Sequence, residues 1–502
     1  MKRSRLVLAL ASAAVITGCG STVATTQGVA PTGGQGLTVP TAAAARNGTT
    51  VTTPTGANGS AGSASGNLTT ATGPVATTSL TAPAPAGSSG SATQPTAINP
   101  KLPPIQIGTY YLQGGGAALA AAGFAGLVIP DNKPLFDAMV KYLNAHGGLG
   151  GRRIVPVEFR YNSNGDPHAQ DAAACADFTQ DHHVYLVVGG ISSGAGDLPA
   201  CLIQHGVPLI GANLGGDEQY FAQNHQFIYE PGQANFTLGL STLVNNLAAQ
   251  SFFSGPATKV GVVQYEGPTY DRAVDDGLTA ALAQHGIKLT DRIHVTSSTD
   301  NSIIARDSAS AVLKFSSEGI NRVFFMAPGG AVATYFMEAA STQHYHPRYG
   351  FMSINGIVSL TGSGSAEPQD QMVGSQGVSW ETNADGLTKA PTRSAKLCLA
   401  ILKAAGIDTT NTETDASYLE TCQHFFLFKA AGDAAGLTLN RDTFISAVEH
   451  LGTSFESTNT WGGATRFGVN DHHGVAAFRP FVYHQDCKCF VVNGPAQPVG
   501  SS

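Results

Sequence analysis

The run Val-Tyr-Leu-Val-Val at 184–188 is continuously apolar, the mark of a strand covered on both faces, as in a parallel sheet with helices on either side. Its surroundings keep one rhythm. Residues 105–110 are strand-like, 134–145 carry Leu135, Met139, Val140 and Leu143 on a helical face, and 154–159 alternate. Asp166-Pro167 then opens a helix with an N-cap and a Pro in the first turn, and 207–210 is another short strand. Further on the alternation restarts. Strands are predicted at 259–265, 321–326 and 348–352, with helices near 270–285, 303–317 and 330–342. Two such series predict an α/β chain of two doubly wound parallel-sheet lobes with right-handed crossovers. Helices follow at 392–405, 418–435 and 443–451, and strands at 475–483 and 490–492 close the pattern.

Upstream the composition is different. Lys2, Arg3 and Arg5 precede an apolar run at 6–16, too short for a bilayer span of about 20 residues and the right size for a secretory leader. The run ends Ile16-Thr17-Gly18-Cys19, which resembles the bacterial lipobox, where the Cys is acylated and becomes the mature N-terminus. That resemblance implies a signal peptide at 1–18 and an extracytoplasmic chain anchored to the cell membrane by lipid on Cys19. An ordinary leader with an incidental Cys is the plainer alternative. From 20 to about 100 the chain is Thr, Ala, Gly, Ser and Pro, with Arg46 its only charge and no aromatic residue. Such a segment cannot bury enough apolar surface to offset its ordering entropy, so 19–103 reads as a lipidated Cys followed by a disordered tether, with a typical span of roughly 50 Å.

Charge narrows the partners. The chain has 27 Lys plus Arg against 34 Asp plus Glu, a formal net charge of −7, and no basic block beyond the leader. Binding nucleic acid by counterion release is therefore not expected. With Cys19 acylated, six cysteines remain, Cys175, Cys201, Cys398, Cys422, Cys487 and Cys489, and an even number in an oxidising compartment predicts three disulfides. Sequence allows fifteen pairings; nearest neighbours are the working choice. Cys487-Lys488-Cys489 is a tight two-residue loop or half of a metal site that no Cys-x-x-Cys or spaced His pair completes. The His182-His183, His344/His346 and His472-His473 groups lie far apart, so surface histidines are the default. No metal and no cofactor are expected.

Residues 130–155, with Phe136-Asp137-Ala138 and then Asn144-Ala145-His146-Gly147-Gly148-Leu149-Gly150-Gly151-Arg152-Arg153-Ile154, resemble type I periplasmic solute-binding proteins, in particular the branched-chain amino acid, amide and urea receptors of ABC importers. Gly147 and Gly148 end a helix where left-handed backbone is needed, and Gly150 and Gly151 turn the chain into a strand. The resemblance runs from 105 to about 493 and weakens after 377. It implies lobe 1 at 104–228 plus 377–452, lobe 2 at 229–376 plus 453–493, a three-strand hinge, and a disordered tail at 494–502. It also implies a first-lobe disulfide near Cys175 and Cys201, a monomer, and an ABC permease that receives the captured molecule.

Candidate site residues sit at strand ends. Ser192, Ser193 and Gly194 follow the buried strand and open a helix, where hydroxyls and free N–H groups cradle a carboxylate, the role this loop has in similar receptors. Capping of the helix is the bland reading of the same serines. Asn213, after the next strand, is a second candidate. In lobe 2, Tyr270 could stack on a ligand, within 265–271 at the carboxyl end of a strand. Amino-acid-binding relatives place an acidic residue after the strand that corresponds to 348–352, to meet the ligand's ammonium. This chain has Asn355 there, which cannot supply a charge-assisted bond.

The expected function is capture, without chemistry, of a small polar molecule, amino acid or amide-like, between two lobes for an ABC importer. A sensor or orphan binding protein on the same scaffold is the alternative. A remote third is a serine esterase, because 190–194 matches G-x-S-x-G, with Ser192 as nucleophile. Such an enzyme needs a carboxylate and then a His on separate strand-end loops, whereas Asp471 abuts His472.

Overall fold

Each lobe grows from a first strand that pairs in parallel with a later strand on either side. The computed structural model describes residues 97–115, 130–163, 165–190, 196–211, 215–255, 257–298, 300–362, 368–382, 391–410, 412–469 and 471–500, all within the unit spanning 85–502. The leader, Cys19 and nearly all of the tether lie outside these residues, as do Ser192, Ser193, Gly194 and Asn213. Among the described residues no helix is long and apolar enough to cross a membrane.

The first sheet has the order β2-β1-β3-β4-β5 and is parallel throughout, with β1 at Ile105–Gln113, β2 at Ile154–Asn162, β3 at Val187–Gly189, β4 at Leu209–Ile210 and β5 at Ile228–Tyr229. Five strands of the second sheet repeat that order: β6 (Val260–Tyr265) lies between β7 (Leu289–Val295) and β8 (Arg322–Met326), followed by β9 (Arg348–Met352) and β10 (Gln376–Ser379), all parallel. Two antiparallel strands extend it, β11 (Ala477–His484) and β12 (Cys489–Val492). The fold is two doubly wound α/β lobes joined by a three-strand hinge.

The glycine motif does what its chemistry suggests. Helix Lys133–Ala145 buries Leu135, Phe136, Met139, Val140 and Leu143, and Gly148 follows it at φ +65°, where a Cβ would stand 1.9 Å from the Arg152 carbonyl oxygen. Only glycine fits that turn. Asn144 ties the helix to β2, accepting from Ile154 N–H at 2.8 Å and donating to Ile154 O at 2.9 Å. Asp166 caps helix Pro167–Ala176 by accepting from Ala169 N–H. Cys175–Cys201, Cys398–Cys422 and Cys487–Cys489 are paired, with Cα separations of 6.2, 6.0 and 5.2 Å.

Three boundaries differ from the sequence expectation. Strand β10 pairs with β9 and β11, so 377–379 belong to the second sheet and the second crossing begins after Ser379. Phe455 and Phe467 pack into the first lobe's core with Phe444 and Leu402, so the third crossing comes later than 453. The tail is ordered up to residue 500: β13 (Gln497–Pro498) pairs with β11, and Val499 is 5% exposed in the second lobe's core. In each case a hydrogen-bonding edge or an apolar contact available only in three dimensions sets the limit.

The crossings are laced together. Glu381 bridges Thr460, Thr382 N–H donates to Asn459 O at 2.7 Å, and Trp461 Nε1–H donates to Ser379 O at 2.7 Å. Trp380 Nε1–H reaches Gln233 Oε1 at 3.2 Å, tying the first crossing to the second, while Glu230 N–H donates to His472 O at 2.9 Å, tying the first to the third.

Candidate ligand-binding site

Ligands of open α/β sheets bind beyond the carboxyl ends of the strands, where the strand order reverses. A cavity of about 130 Å³ lies in that position for lobe 2, lined by Gly215, Gln233, Phe236, Tyr270, Pro328 and Ile354. Pro328 follows β8, Ile354 follows β9, and Tyr270 lies in helix Pro268–Arg272 after β6. Gln233 comes from the first crossing, and Phe236 begins helix Phe236–Ala249, capped by Asn235. Gly215 belongs to the first lobe. A Cβ on it would meet the Phe236 ring at 2.1 Å, so the two lobes touch closely here only because the side chain is a hydrogen. A larger open hollow of about 380 Å³, with Arg153 and Pro156 in its wall, is at the start of β2, the edge of the first sheet away from the crevice.

Tyr270 is packed in an aromatic group. Its ring stacks on Phe236 with centroids 5.6 Å apart and meets Tyr265 edge-on at 5.7 Å. Burial raises its hydroxyl pKa, so it stays a neutral amphipathic wall. Asn355, the other described residue expected at the ligand, is used differently. It is fully buried, its Oδ1 accepts from Met352 N–H at 2.9 Å, and its Nδ2 donates to Phe325 O at 3.1 Å. The amide clamps the loop after β9 to β8, and the neighbouring Ile354 faces the cavity instead. Tyr110 and Tyr111 are core residues, each 3% exposed.

Across the mouth of the crevice Asp217, 1% exposed, accepts from Tyr220 N–H as an N-cap and pairs with Arg272 of the second lobe. Phe236 N–H donates to Gly216 O at 2.8 Å beside it. Together these contacts join the two lobes in the conformation described.

The model of the family described as "Periplasmic binding protein" matches residues 116–487, most of the chain and both lobes. The chain belongs to the periplasmic binding protein family. No curated relative matches the sequence. Among solved structures, a branched-chain amino acid ABC transporter protein from Thermus thermophilus with bound valine is 16% identical, with a TM-score of 0.57 over 80% of this chain and 98% of that one. A p-hydroxybenzoic acid complex of a solute-binding protein from Rhodopseudomonas palustris HaA2 is 14% identical, with a TM-score of 0.56 over 79% and 97%. A fatty acid ABC transporter substrate-binding protein from Thermomonospora curvata gives 16% and 0.55, over 80% and 95%. These likenesses show the fold. The periplasmic binding protein family is one of solute binders and not of enzymes, which removes the esterase reading of Ser192.

Sequence reasoning did not single out Gln233, Phe236 or Ile354, which line the cavity of this periplasmic binding protein. Gln233 and Phe236 lie in a crossing that carries no motif, and Ile354 reads as core; the only signal was the position of each beside a strand end or a crossing. His472, in the third crossing, also escaped the surface default. It is fully buried and stacks on Tyr229 at 4.7 Å. Burial, and after it the neighbouring His225, lowers its pKa from 6.5 to about 4, against the smaller raising effect of the Asp471 charge.

That shift has a consequence for stability. Above pH 6.5 the ring is neutral whether the chain is folded or not, whereas below it the unfolded chain takes up a proton that the fold refuses until about 4. We expect this ring to remove up to about 3 kcal/mol of stability as the pH falls from 6.5 to 4. Urea midpoints measured at intervals across that window test it, and a slope unchanged in His472→Gln would assign the loss elsewhere.

Proposed function

We propose that this chain is the extracytoplasmic solute receptor of an ABC importer, lipid-anchored through Cys19 and carried on the 19–103 tether. The observation that carries the reading is the cavity at the strand ends of lobe 2, walled by an aromatic pair, closed by Gly215 of the other lobe, and placed beside a laced three-strand hinge. Structural relatives that include a valine complex, a p-hydroxybenzoic acid complex and a fatty acid ABC transporter substrate-binding protein support it as a class. A volume of about 130 Å³ suits a small solute with an apolar portion against Tyr270 and Phe236. Asn355 being engaged within its own loop argues against the ammonium contact made by amino-acid receptors at that place. Ser192, Ser193 and Gly194 remain our assignment for a carboxylate, and Asn213 for a further polar contact.

The three disulfides and the lipobox fit an oxidising compartment outside the cytoplasm. Labelling with radioactive palmitate that persists in Cys19→Ala would sink the anchor. For the site, calorimetry against amino acids, amides, polyols and aromatic acids identifies the solute. With the hit in hand, Tyr270→Ala is expected to weaken binding by about 1–2 kcal/mol, roughly five- to thirtyfold. Unchanged affinity would move the site away from this cavity.

A further inference from the structure

A second polar cluster lies at the carboxyl edge of the first sheet, and the contacts described so far do not use it. Glu230 follows β5 directly and is 1% exposed. Its Oε1 accepts from Gly232 N–H at 3.1 Å, while Oε2 is buried without a hydrogen-bond partner. His424, fully buried on helix Thr412–Ala435, points Nδ1 at the Gly189 carbonyl oxygen, 3.1 Å away at the end of β3. A carbonyl only accepts, so Nδ1 carries the proton, and a neutral ring then presents a lone pair at Nε2. That Nε2 also has no hydrogen-bond partner and stands 3.8 Å from Glu230 Oε1. One turn earlier on the same face, Glu420 is half-buried and close enough to feel both groups.

The arrangement has no cation facing its carboxylates among the described residues. Among the described residues the only basic side chain within 4.0 Å of the Glu230 carboxylate is His424. The Tyr110 hydroxyl, on β1, is pushed up by burial, then by the charges of Asp171 and Glu230, so it faces the same negative potential. Burial likewise raises the Glu420 carboxyl to about 7, with His424 lowering it and Glu230 raising it. An unpaired buried carboxylate oxygen costs stability, and a nearby donor-rich cation would relieve it. A metal ion needs closer convergence. The ligand-type atoms that approach one another closely enough among the described residues are those of Cys175, Cys201 and His205, and the two cysteines are bonded to each other.

We propose that Glu230, Glu420 and His424 form a seat for the cationic end of the solute, a primary ammonium or a guanidinium, so that the positive charge is held by the first lobe and hinge instead of by the loop after β9. This deepens the receptor reading and rests on it. Gln423, beside His424, has its Nε2 buried and without a hydrogen-bond partner, and packs against Gly232, where a Cβ would stand 2.3 Å from that nitrogen. The seat therefore adjoins the first crossing, three residues before the cavity-lining Gln233.

The test pairs cations with matched neutral and anionic compounds, using the full chain. Calorimetry and thermal shift are run with putrescine, agmatine and 4-aminobutanoate against 1,4-butanediol, butanamide and butanoate. The expected result is that at least one cationic probe binds at least tenfold more tightly than its matched partner, and that Glu230→Gln abolishes most of that preference. Glu420→Gln is expected to reduce it less. A ligand-free measurement accompanies this: Glu230→Gln melts at or above the wild-type temperature, because an uncompensated buried charge has been removed. A clear drop in melting temperature makes Glu230 a structural partner of His424 and overturns the proposal. Binding of neutral or anionic probes with no preference for cations, or no binding by any of the six, overturns the seat; the receptor reading falls only if the wider panel of amino acids, amides, polyols and aromatic acids also fails to bind.

Discussion

Trp380→Ala is expected to destabilise the protein by about 3–5 kcal/mol, the largest effect of a single substitution anticipated here. The indole is fully buried and heads the largest buried side chains. It packs in the second lobe's core, with Gly239 opposite, where a Cβ would already stand 3.0 Å from the ring. Truncation would leave a cavity that close neighbours cannot fill, and it would also strand Gln233 Oε1, which accepts from Trp380 Nε1–H. Because Gln233 lines the cavity proposed for the solute, affinity for an identified solute is expected to fall together with stability. Urea unfolding followed by circular dichroism measures the first effect, with Trp380→Phe as the milder comparison. A loss below about 1 kcal/mol would mean that the site collapses freely and that the crossing is not held by this residue.

The second large effect is chemical. Cys175–Cys201 and Cys398–Cys422 close segments with sequence separations of 26 and 24, each worth about 3 kcal/mol in restricting the unfolded chain. Replacing both pairs by alanine is expected to cost about 6 kcal/mol, a large share of the 5–15 kcal/mol typical of a folded domain. Both lie in the first lobe, one joining helix Pro167–Ala176 to helix Asp197–Gln204 and the other joining helix Arg393–Ala404 to helix Thr412–Ala435. Cys487–Cys489 has a sequence separation of only 2, so its removal is expected to change stability far less. Denaturant midpoints with and without reductant, compared across the three alanine pairs, check the order; equal losses for all three would refute the loop-length argument.

Much of the framework was legible beforehand. The helix predicted at 392–405 is observed at Arg393–Ala404, and that at 443–451 at Arg441–Glu449, because both combine a cap with an apolar stripe. The missed strands are of two kinds. Strands β5, β10 and β13 have two, four and two residues, too few for a period to register, and β7 alternates polar groups along an edge that is half exposed. Tyr270 could be named as a candidate because it follows a strand in a turn-rich loop, and it does line a cavity. Glu230 and His424 were not, because a single Glu before a Pro and a His inside a long helix carry no local signature.

The sequence by itself determined the local chemistry: where a helix must stop at Gly148, which runs are apolar on both faces, and that six cysteines remain after Cys19. Those properties depend on residues a few positions apart and on side-chain type, so they survive without the fold. Tertiary structure alone decided that Asn355 turns into its own loop, that Val499 joins the second core, and that Glu230 on one crossing meets His424 on a helix almost two hundred residues later. Burial and pairing between distant segments create those environments, and no periodicity along the chain records them.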